Sequence, residues 1–129
     1  MPNSAHGVGR LLRAVGYSMK GLRAAWRHEA AFREEVLLTL TLSPFTFWVG
    51  HDAIDYVVLL GSLFILLITE LFNSAIEALT DRIGTEHHEL SARAKDLASA
   101  AVFLAFVLVV LVWGACAWLR FSGVGLHAG

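Results

Sequence analysis

The chain has 129 residues, a formal net charge of −1 at pH 7, 57% hydrophobic residues and only 16% charged residues. This composition is too apolar for an ordinary soluble domain of that length and predicts a single integral membrane domain over residues 1–129. A net charge near zero also argues against nucleic acid as a partner.

The first predicted element is an amphipathic helix over residues 10–27. Five apolar side chains share one face of it: Leu11, Val15, Met19, Leu22 and Trp26. Arg13, Lys20 and Arg27 point the opposite way. Basic residues opposite Leu and Trp are typical of a helix that lies in the membrane interface, so we expect an interfacial helix here.

A first membrane helix is predicted over residues 31–49, where the apolar run is short and contains Pro44. Proline lacks a backbone N–H and leaves one carbonyl unbonded in a helix. The hydroxyl of Thr41 or Ser43 could satisfy that carbonyl. A polar turn without Lys or Arg follows at residues 50–55.

Two further membrane helices are predicted, over residues 56–83 and 97–119. The first would be about 42 Å long, which exceeds a hydrocarbon core of about 30 Å. We therefore expect its last two turns to stand outside the bilayer, with Gly84 as a C-cap. The second is long enough to cross with a little tilt.

The distribution of positive charge predicts the orientation of these spans. Nine of the ten Lys and Arg residues lie before residue 36 or between residues 82 and 95, and Arg120 is the exception. The positive-inside rule then places the N-terminus and the 84–96 loop in the cytoplasm, and the C-terminus outside.

A stripe of polar side chains runs along the second predicted span. Glu70, Ser74, Glu77 and Asp81 lie within about 60° of one another on a helix, with Asn73 at the edge of that sector. An ionisable side chain at such depth costs a few kcal/mol or more and usually marks a functional site. The alternative is that Glu70 only pairs with a basic residue of a neighbouring helix and holds the bundle together.

The predicted cytoplasmic boundary combines acidic and basic side chains, as a site for a metal nucleotide would. The residues concerned are Glu29, Glu77, Asp81, Glu86, Glu89 and Asp96 with Arg10, Arg23, Arg93 and Lys95. Glu29 and Glu77 could hold Mg²⁺, which needs one or two protein carboxylates, and the cations could neutralise phosphates. The sequence contains neither a P-loop nor the protein-kinase motifs, so phosphoryl transfer here would use another scaffold.

At these residues the sequence resembles the prokaryotic diacylglycerol kinases, a family of small integral membrane enzymes. The matching segments cover nearly the whole chain: GYSMKGLRAAW at 16–26, EAAF at 29–32, ELFNSAIEALTD at 70–81, DRIG at 81–84, HELS at 88–91 and RAKD at 93–96. Phe72 and Thr80 depart from the family signature, but both lie off the polar face.

The resemblance implies an all-α homotrimer of subunits with an interfacial N-terminal helix and three transmembrane helices, in the bacterial inner (cytoplasmic) membrane. It implies transfer of the γ-phosphoryl group of ATP, with Mg²⁺, to diacylglycerol. The product would be phosphatidic acid, which feeds phospholipid recycling.

The resemblance also implies roles for individual residues. Glu70 matches the catalytic base, Glu29 and Glu77 match the metal ligands, and Asn73 and Asp81 are supporting residues. Positions that match ATP contacts are Arg10, Tyr17, Glu29, Glu77, Glu86, His87, His88, Lys95 and Asp96. Positions that match the lipid substrate site are Arg10, Ala14, Arg23, Trp26, Ala31, Glu35, Trp48, Tyr56, Glu70, Ser99 and Trp113; for the Trp and Ala residues, packing is an equal alternative.

Two other functions remain open at this point. Undecaprenol kinases share the signature and differ mainly in their lipid substrate. A non-enzymatic membrane oligomer, such as an ion pathway lined by Glu70 and Asn73, would explain the polar stripe but not the charged clusters beyond it.

Overall fold

The computed structural model describes residues 7–84 and 86–123, and within these ranges every regular element is helical. The helices are α1 (Gly7–His28), α2 (Ala30–Leu42), α3 (Thr46–Val49), α4 (Ala53–Ile83) and α5 (Glu89–Phe121), with a 3₁₀ turn at Ser43–Phe45. The predicted all-α class is confirmed.

Helix α1 extends the predicted amphipathic helix by a few residues at its N-terminus. Its apolar face is largely exposed, and Ala25 is its single buried residue. At Glu29 the backbone is extended (φ −118°, ψ 105°), and α2 starts at the next residue. Arg33 Nη1 donates hydrogen bonds to the carbonyls of Trp26 (2.7 Å) and Arg27 (3.3 Å). These bonds satisfy carbonyls that the end of α1 leaves unpaired, so Arg33 fixes the joint between α1 and α2.

The first predicted span is helical but broken at Pro44, where α2 passes through the 3₁₀ turn into α3. Thr41 donates to the carbonyl of Leu37 (2.7 Å) and Ser43 donates to that of Thr39 (2.6 Å). The prediction that one of these hydroxyls satisfies the carbonyl freed by Pro44, that of Leu40, is therefore wrong. Each hydroxyl bonds back to its own i−4 carbonyl, as Ser and Thr do within helices.

Helices α4 and α5 are long and apolar enough to cross a membrane. The side chain of Asp52 caps α4 by accepting a hydrogen bond from the backbone N–H of Asp55 (2.9 Å). Gly84 is the C-cap, as predicted. Helix α5 begins at Glu89, eight residues before the predicted span at residue 97, and the side chain of His88 caps it.

The buried core lies between α4 and α5 and is formed by Leu63, Leu66, Ala105 and Val109. Most other large apolar side chains on the two helices are exposed, including Phe64 (57%). An apolar surface of this extent suits a lipid environment or a partner surface, and it agrees with the predicted membrane protein.

At the end of the bundle remote from the α4–α5 loop, aromatic contacts join three helices. Arg120 Nε donates to the carbonyl of Trp48 at 2.9 Å, and the Trp48 ring meets that of Phe121 edge-on. Trp113 Nε1 donates to the carbonyl of Leu59 at 3.2 Å. Arg120, the exception in the charge distribution, thus connects α5 to α3.

Candidate functional site

The polar stripe of α4 forms a connected row of side chains. Glu70 is 4% exposed. Asn73 donates through Nδ2 to Glu77 Oε1 at 3.2 Å. Asn73 is three residues after Glu70 and four before Glu77, so the three side chains follow one another along the same side of the helix. Asn73 thus lies between the buried end of the row and the end near the α4–α5 loop.

Glu29 enters this row from the joint between α1 and α2. Its Oε1 accepts a hydrogen bond from Ser74 Oγ at 3.0 Å. Ser74 lies three residues before Glu77, so the two predicted metal ligands, Glu29 and Glu77, are held on neighbouring turns of the same face.

A second carboxyl group, that of Glu35 on α2, is also almost fully buried. Glu35 is 5% exposed and shares the buried face of α2 with Phe32 and Thr39. The described residues contain one ion pair, between Lys95 and Asp81, so Glu70 has no basic partner among them. The alternative that Glu70 pairs with a basic residue is therefore not supported within residues 7–84 and 86–123.

A cleft of about 730 Å³ lies between α1 and α4, beside the row. Its walls are mostly small or apolar side chains, including Leu22, Ala25 and Leu71, while Glu29 and Ser74 supply polar groups. Such a cleft suits an amphipathic ligand that places a polar group near the carboxylates and its apolar part along the helices.

A more polar cleft of about 600 Å³ lies where α4 passes into α5. It is lined by Thr80, Asp81, Gly84, Glu86, His87, His88, Ser91, Ala92 and Lys95. Lys95 Nζ contacts Asp81 Oδ1 at 2.7 Å. Lys95 precedes the predicted span 97–119, and this hydrogen bond raises the pKa of its ammonium group, which stays cationic at neutral pH. The cleft thus combines a fixed cation with acidic and imidazole side chains.

The structure brings together some of the predicted site residues and leaves others apart. Four predicted nucleotide residues share the polar cleft: Glu86, His87, His88 and Lys95. Arg10, Tyr17 and Asp96 are exposed and do not line it. The Tyr17 ring instead lies 5.8 Å from Lys20 Nζ.

The predicted lipid residues are spread along the whole bundle. Ala14, Arg23, Trp26 and Ala31 lie exposed on α1 and α2, and Ser99 is exposed on α5. Tyr56 is 14 residues before Glu70, about 21 Å along α4. Trp48 and Trp113 belong to the aromatic contacts at that same remote end. A ligand at Glu70 could reach them only with a long apolar chain.

The two predicted metal ligands suit Mg²⁺ better than they suit a metal ion that protein side chains alone coordinate. In the described part of the chain, no group of three or more His, Cys, Asp or Glu side chains is arranged to hold a metal ion. Mg²⁺ commonly takes only one or two carboxylates and completes its shell with water and phosphate oxygens. Glu29 and Glu77 are two carboxyl groups on the same side of the bundle, as that mode of binding would require.

These features define an all-helical membrane protein with a row of carboxyl groups that runs from the buried Glu70 to a polar cleft. The family model for prokaryotic diacylglycerol kinase matches residues 16–117, and the chain belongs to that family. The diacylglycerol kinase of Escherichia coli (strain K12) is 49% identical over 122 residues, which cover 95% of this chain and 100% of the relative. The diacylglycerol kinase of Haemophilus influenzae is 45% identical over 108 residues, covering 84% and 92% respectively.

Proposed function

We propose that the protein is a diacylglycerol kinase that transfers the γ-phosphoryl group of ATP to the free hydroxyl of diacylglycerol and forms phosphatidic acid, which feeds phospholipid recycling. Family membership supports the reaction class. The observation that carries the assignment to this site is the position of Glu70, a buried side chain on the same side of α4 as Glu77, to which Asn73 donates a hydrogen bond.

The reaction proceeds as a direct in-line displacement. The lipid hydroxyl oxygen bonds to the γ-phosphorus, the bond from that phosphorus to the β–γ bridging oxygen breaks, and ADP leaves. Glu70 takes the hydroxyl proton as general base. Because phosphoryl transfer depends mainly on positioning and charge stabilisation, a base that also orients the hydroxyl is a large contribution from the lipid side.

Glu29 and Glu77 would hold Mg²⁺ together with the nucleotide phosphates. The metal supplies charge neutralisation on the phosphate oxygens. Lys95 contributes a fixed positive charge at the same end of the bundle, in the cleft that also contains His87 and His88. Arg10 and Tyr17 of α1, and Asp96 of α5, would complete the nucleotide site in the assembled protein.

The cleft between α1 and α4 is the proposed entry for the lipid. Glu29 and Ser74 mark its polar side, and the side chains around them are mostly apolar. A diacylglycerol there would place its hydroxyl at the carboxylate row and its acyl chains along the helices. The predicted lipid residues at the remote end, such as Tyr56, would then contact chains rather than the reacting group.

The proposed working form is a homotrimer in the bacterial inner membrane, with residues 31–49, 56–83 and 97–119 crossing the bilayer. The N-terminus and the carboxylate row face the cytoplasm, and the C-terminus lies outside. The basic residues before the first span and around the α4–α5 loop support this orientation.

The deciding experiment is transfer of labelled γ-phosphate from ATP to lipid by the purified protein in mixed micelles. We expect labelled phosphatidic acid with diacylglycerol and little product with a polyprenol. Preferential phosphorylation of the polyprenol would instead identify an undecaprenol kinase. Ion flux in liposomes without ATP turnover would contradict a kinase of either kind.

A further inference from the structure

Helix α1 carries three cations that the proposed reaction does not use. Arg13, Lys20 and Arg27 follow one another at intervals of seven residues, so they lie within about 40° of one another on the helix surface and about 10 Å apart along its axis. All three side chains are exposed. None of them lines the apolar cleft or the polar cleft. We call these three residues the basic row of α1.

No acidic side chain of the described residues balances the charge of the basic row. Helix α1 contains five Lys and Arg residues and neither Asp nor Glu, although the whole chain has 11 acidic residues. The one ion pair within residues 7–84 and 86–123 joins Lys95 to Asp81. Lys20 Nζ lies 5.8 Å from the centre of the Tyr17 ring, a contact that leaves its charge in place. The positive charge of the row is therefore available to an anion outside the chain.

Packing against the bundle contributes little to the position of α1. Ala25 is its single buried residue, and its apolar face is open, with Leu11 at 64% and Met19 at 48% exposure. A helix with such a face lies in the membrane interface with its apolar side down. The basic row points about 140° away from Ala25 and from the centre of the apolar face. Arg and Lys side chains are long enough to bring their charged ends to the headgroup layer from that position.

We propose that the basic row of α1 is a docking surface for anionic phospholipids of the leaflet in which α1 lies, and that their charge holds α1 in place as a wall of the apolar cleft. The docking does not depend on the reaction, whereas its effect on turnover rests on the proposed function. Phosphatidylglycerol has the required negative headgroup, and phosphatidylcholine, which has no net charge, lacks it. Phosphatidic acid is anionic and diacylglycerol is neutral, so turnover would add to the charge that holds α1.

The docking test uses the full-length protein in vesicles of phosphatidylcholine, or of phosphatidylcholine and phosphatidylglycerol in equal parts. An environment-sensitive fluorophore on Leu11→Cys, in the Cys116→Ala background, reports how deeply the apolar face of α1 inserts. We expect emission at a shorter wavelength in the anionic vesicles, because deeper insertion removes the fluorophore from water. Added salt should reverse this shift by screening the charges.

Two variants of the basic row separate charge from side-chain identity. Replacing Arg13, Lys20 and Arg27 together with glutamine should abolish the shift that phosphatidylglycerol causes. The matched control, Arg13→Lys with Arg27→Lys, keeps all three charges and should keep the shift. A shift of equal size in the triple glutamine variant would overturn the proposal, and so would loss of the shift in the lysine control.

The turnover test uses the same vesicles with diacylglycerol and saturating MgATP, and the protein without the fluorophore. Each Lys or Arg near an anionic surface favours membrane binding by about fivefold, so we expect phosphatidylglycerol to raise wild-type turnover at least about twofold. The triple glutamine variant should not respond to phosphatidylglycerol, and in phosphatidylcholine alone it should match the wild type.

Two other results would contradict the proposal. Equal loss of turnover by the triple variant in both kinds of vesicle would show that the row acts elsewhere, for example on a neighbouring subunit. A change only in the KM for MgATP would assign the row to the nucleotide. If the fluorescence shift depends on the row but no lipid is phosphorylated, the proposed function fails and the docking stands.

Discussion

The environment of Glu70 is assembled from parts of the chain that are far apart in sequence. Asn73 belongs to the same helix, whereas Glu29, which accepts a hydrogen bond from Ser74, comes from the joint before α2. Glu70 therefore lies in a row of acidic side chains with no cation paired to it among the described residues. Such a row favours the binding of a cation, because acidic side chains without basic partners cannot form a purely structural network of ion pairs.

Glu70→Gln tests the base directly. The amide preserves size and hydrogen bonding but cannot accept the hydroxyl proton, so we expect the rate to fall by about 100-fold or more. Binding of MgATP and the oligomeric state should be retained, as measured by nucleotide titration and size-exclusion chromatography. Near-normal turnover in this variant, or phosphate found covalently attached to the protein, would contradict direct transfer to the lipid with Glu70 as base.

Glu77→Gln tests the proposed metal site. Removing one of two carboxylates should abolish most activity and weaken the dependence of MgATP binding on Mg²⁺ concentration. The measurement is a Mg²⁺ titration of nucleotide binding and of phosphoryl transfer, with Glu34→Gln as the control, because Glu34 is exposed on α2 and lies outside the carboxylate row. Unchanged binding and rate in Glu77→Gln would remove Glu77 from the site.

Residue-scale prediction from sequence succeeded where the information is local. The stripe from Glu70 to Asp81 follows from helical periodicity alone, and the structure keeps it on one helix. Ser74 was visible in that stripe, but its bond to Glu29 joins residues 45 positions apart. The burial of Glu35 likewise depends on how α2 packs against α4. The available signal was an acidic residue at helical spacing from Phe32 on an apolar face.

The junction between α3 and α4 makes Gly50 difficult to replace. A Cβ atom there would lie 2.9 Å from Tyr56 Cδ1 and 3.0 Å from the carbonyl oxygen of Thr46. We expect Gly50→Ala to destabilise the protein by about 1–3 kcal/mol, because this crowding includes backbone. Thermal unfolding in detergent measures the effect. Gly114→Ala, where a Cβ atom meets nothing within 4 Å, is the control, and equal stability of the two variants would contradict the argument.

Helix α1 contributes little to the buried core, yet it forms one wall of the apolar cleft. Deletion of residues 1–27 should therefore destroy catalysis and leave a protein that still inserts into membranes, since α4 and α5 are intact. Membrane fractionation and the labelled phosphate assay measure the two properties. Full activity after the deletion would show that α1 serves only as an anchor.

At the scale of elements, apolar periodicity located the helices but not all of their ends or breaks. Helix α5 starts at Glu89, whereas the prediction placed its start at residue 97. The first two turns of the helix are polar, and hydropathy detects only apolar segments. The C-terminus of α4 was predicted correctly because Gly84 is a local signal. The predicted helices over residues 10–27 and 31–49 leave a gap that contains the joint at Glu29, but the hydrogen bond by which Arg33 stabilises this joint from the following helix was not predicted.

The whole molecule exposes more apolar surface than two packed helices can cover. Helices α4 and α5 bury one face against each other, and large side chains such as Phe103 and Leu111 remain exposed at 66% and 63%. Lipid and neighbouring subunits are the two environments that could cover this surface. In the proposed membrane-spanning trimer, neighbouring subunits would cover part of this surface and lipid would cover the rest.

Cysteine labelling tests the proposed orientation in the Cys116→Ala background, which removes the chain's single cysteine. With Ser122→Cys added, an impermeant maleimide should react in intact spheroplasts. With Glu89→Cys added, the same reagent should react only after permeabilisation. The reverse pattern would contradict a cytoplasmic carboxylate row. Unmodified Cys116→Ala controls for nonspecific labelling and for retained activity.

The break at Pro44 has a consequence for the host membrane. Residues 30–49 provide only about 30 Å of helix, whereas α4 provides about 46 Å. If residues 30–49 cross the bilayer as proposed, hydrophobic mismatch falls on this one element, while its neighbours tolerate thicker bilayers by tilting. Glu29, which accepts a hydrogen bond from Ser74 of α4, immediately precedes the short element, so a bilayer of longer acyl chains would shift Glu29 relative to α4. Turnover should thus follow the thickness of the surrounding lipid.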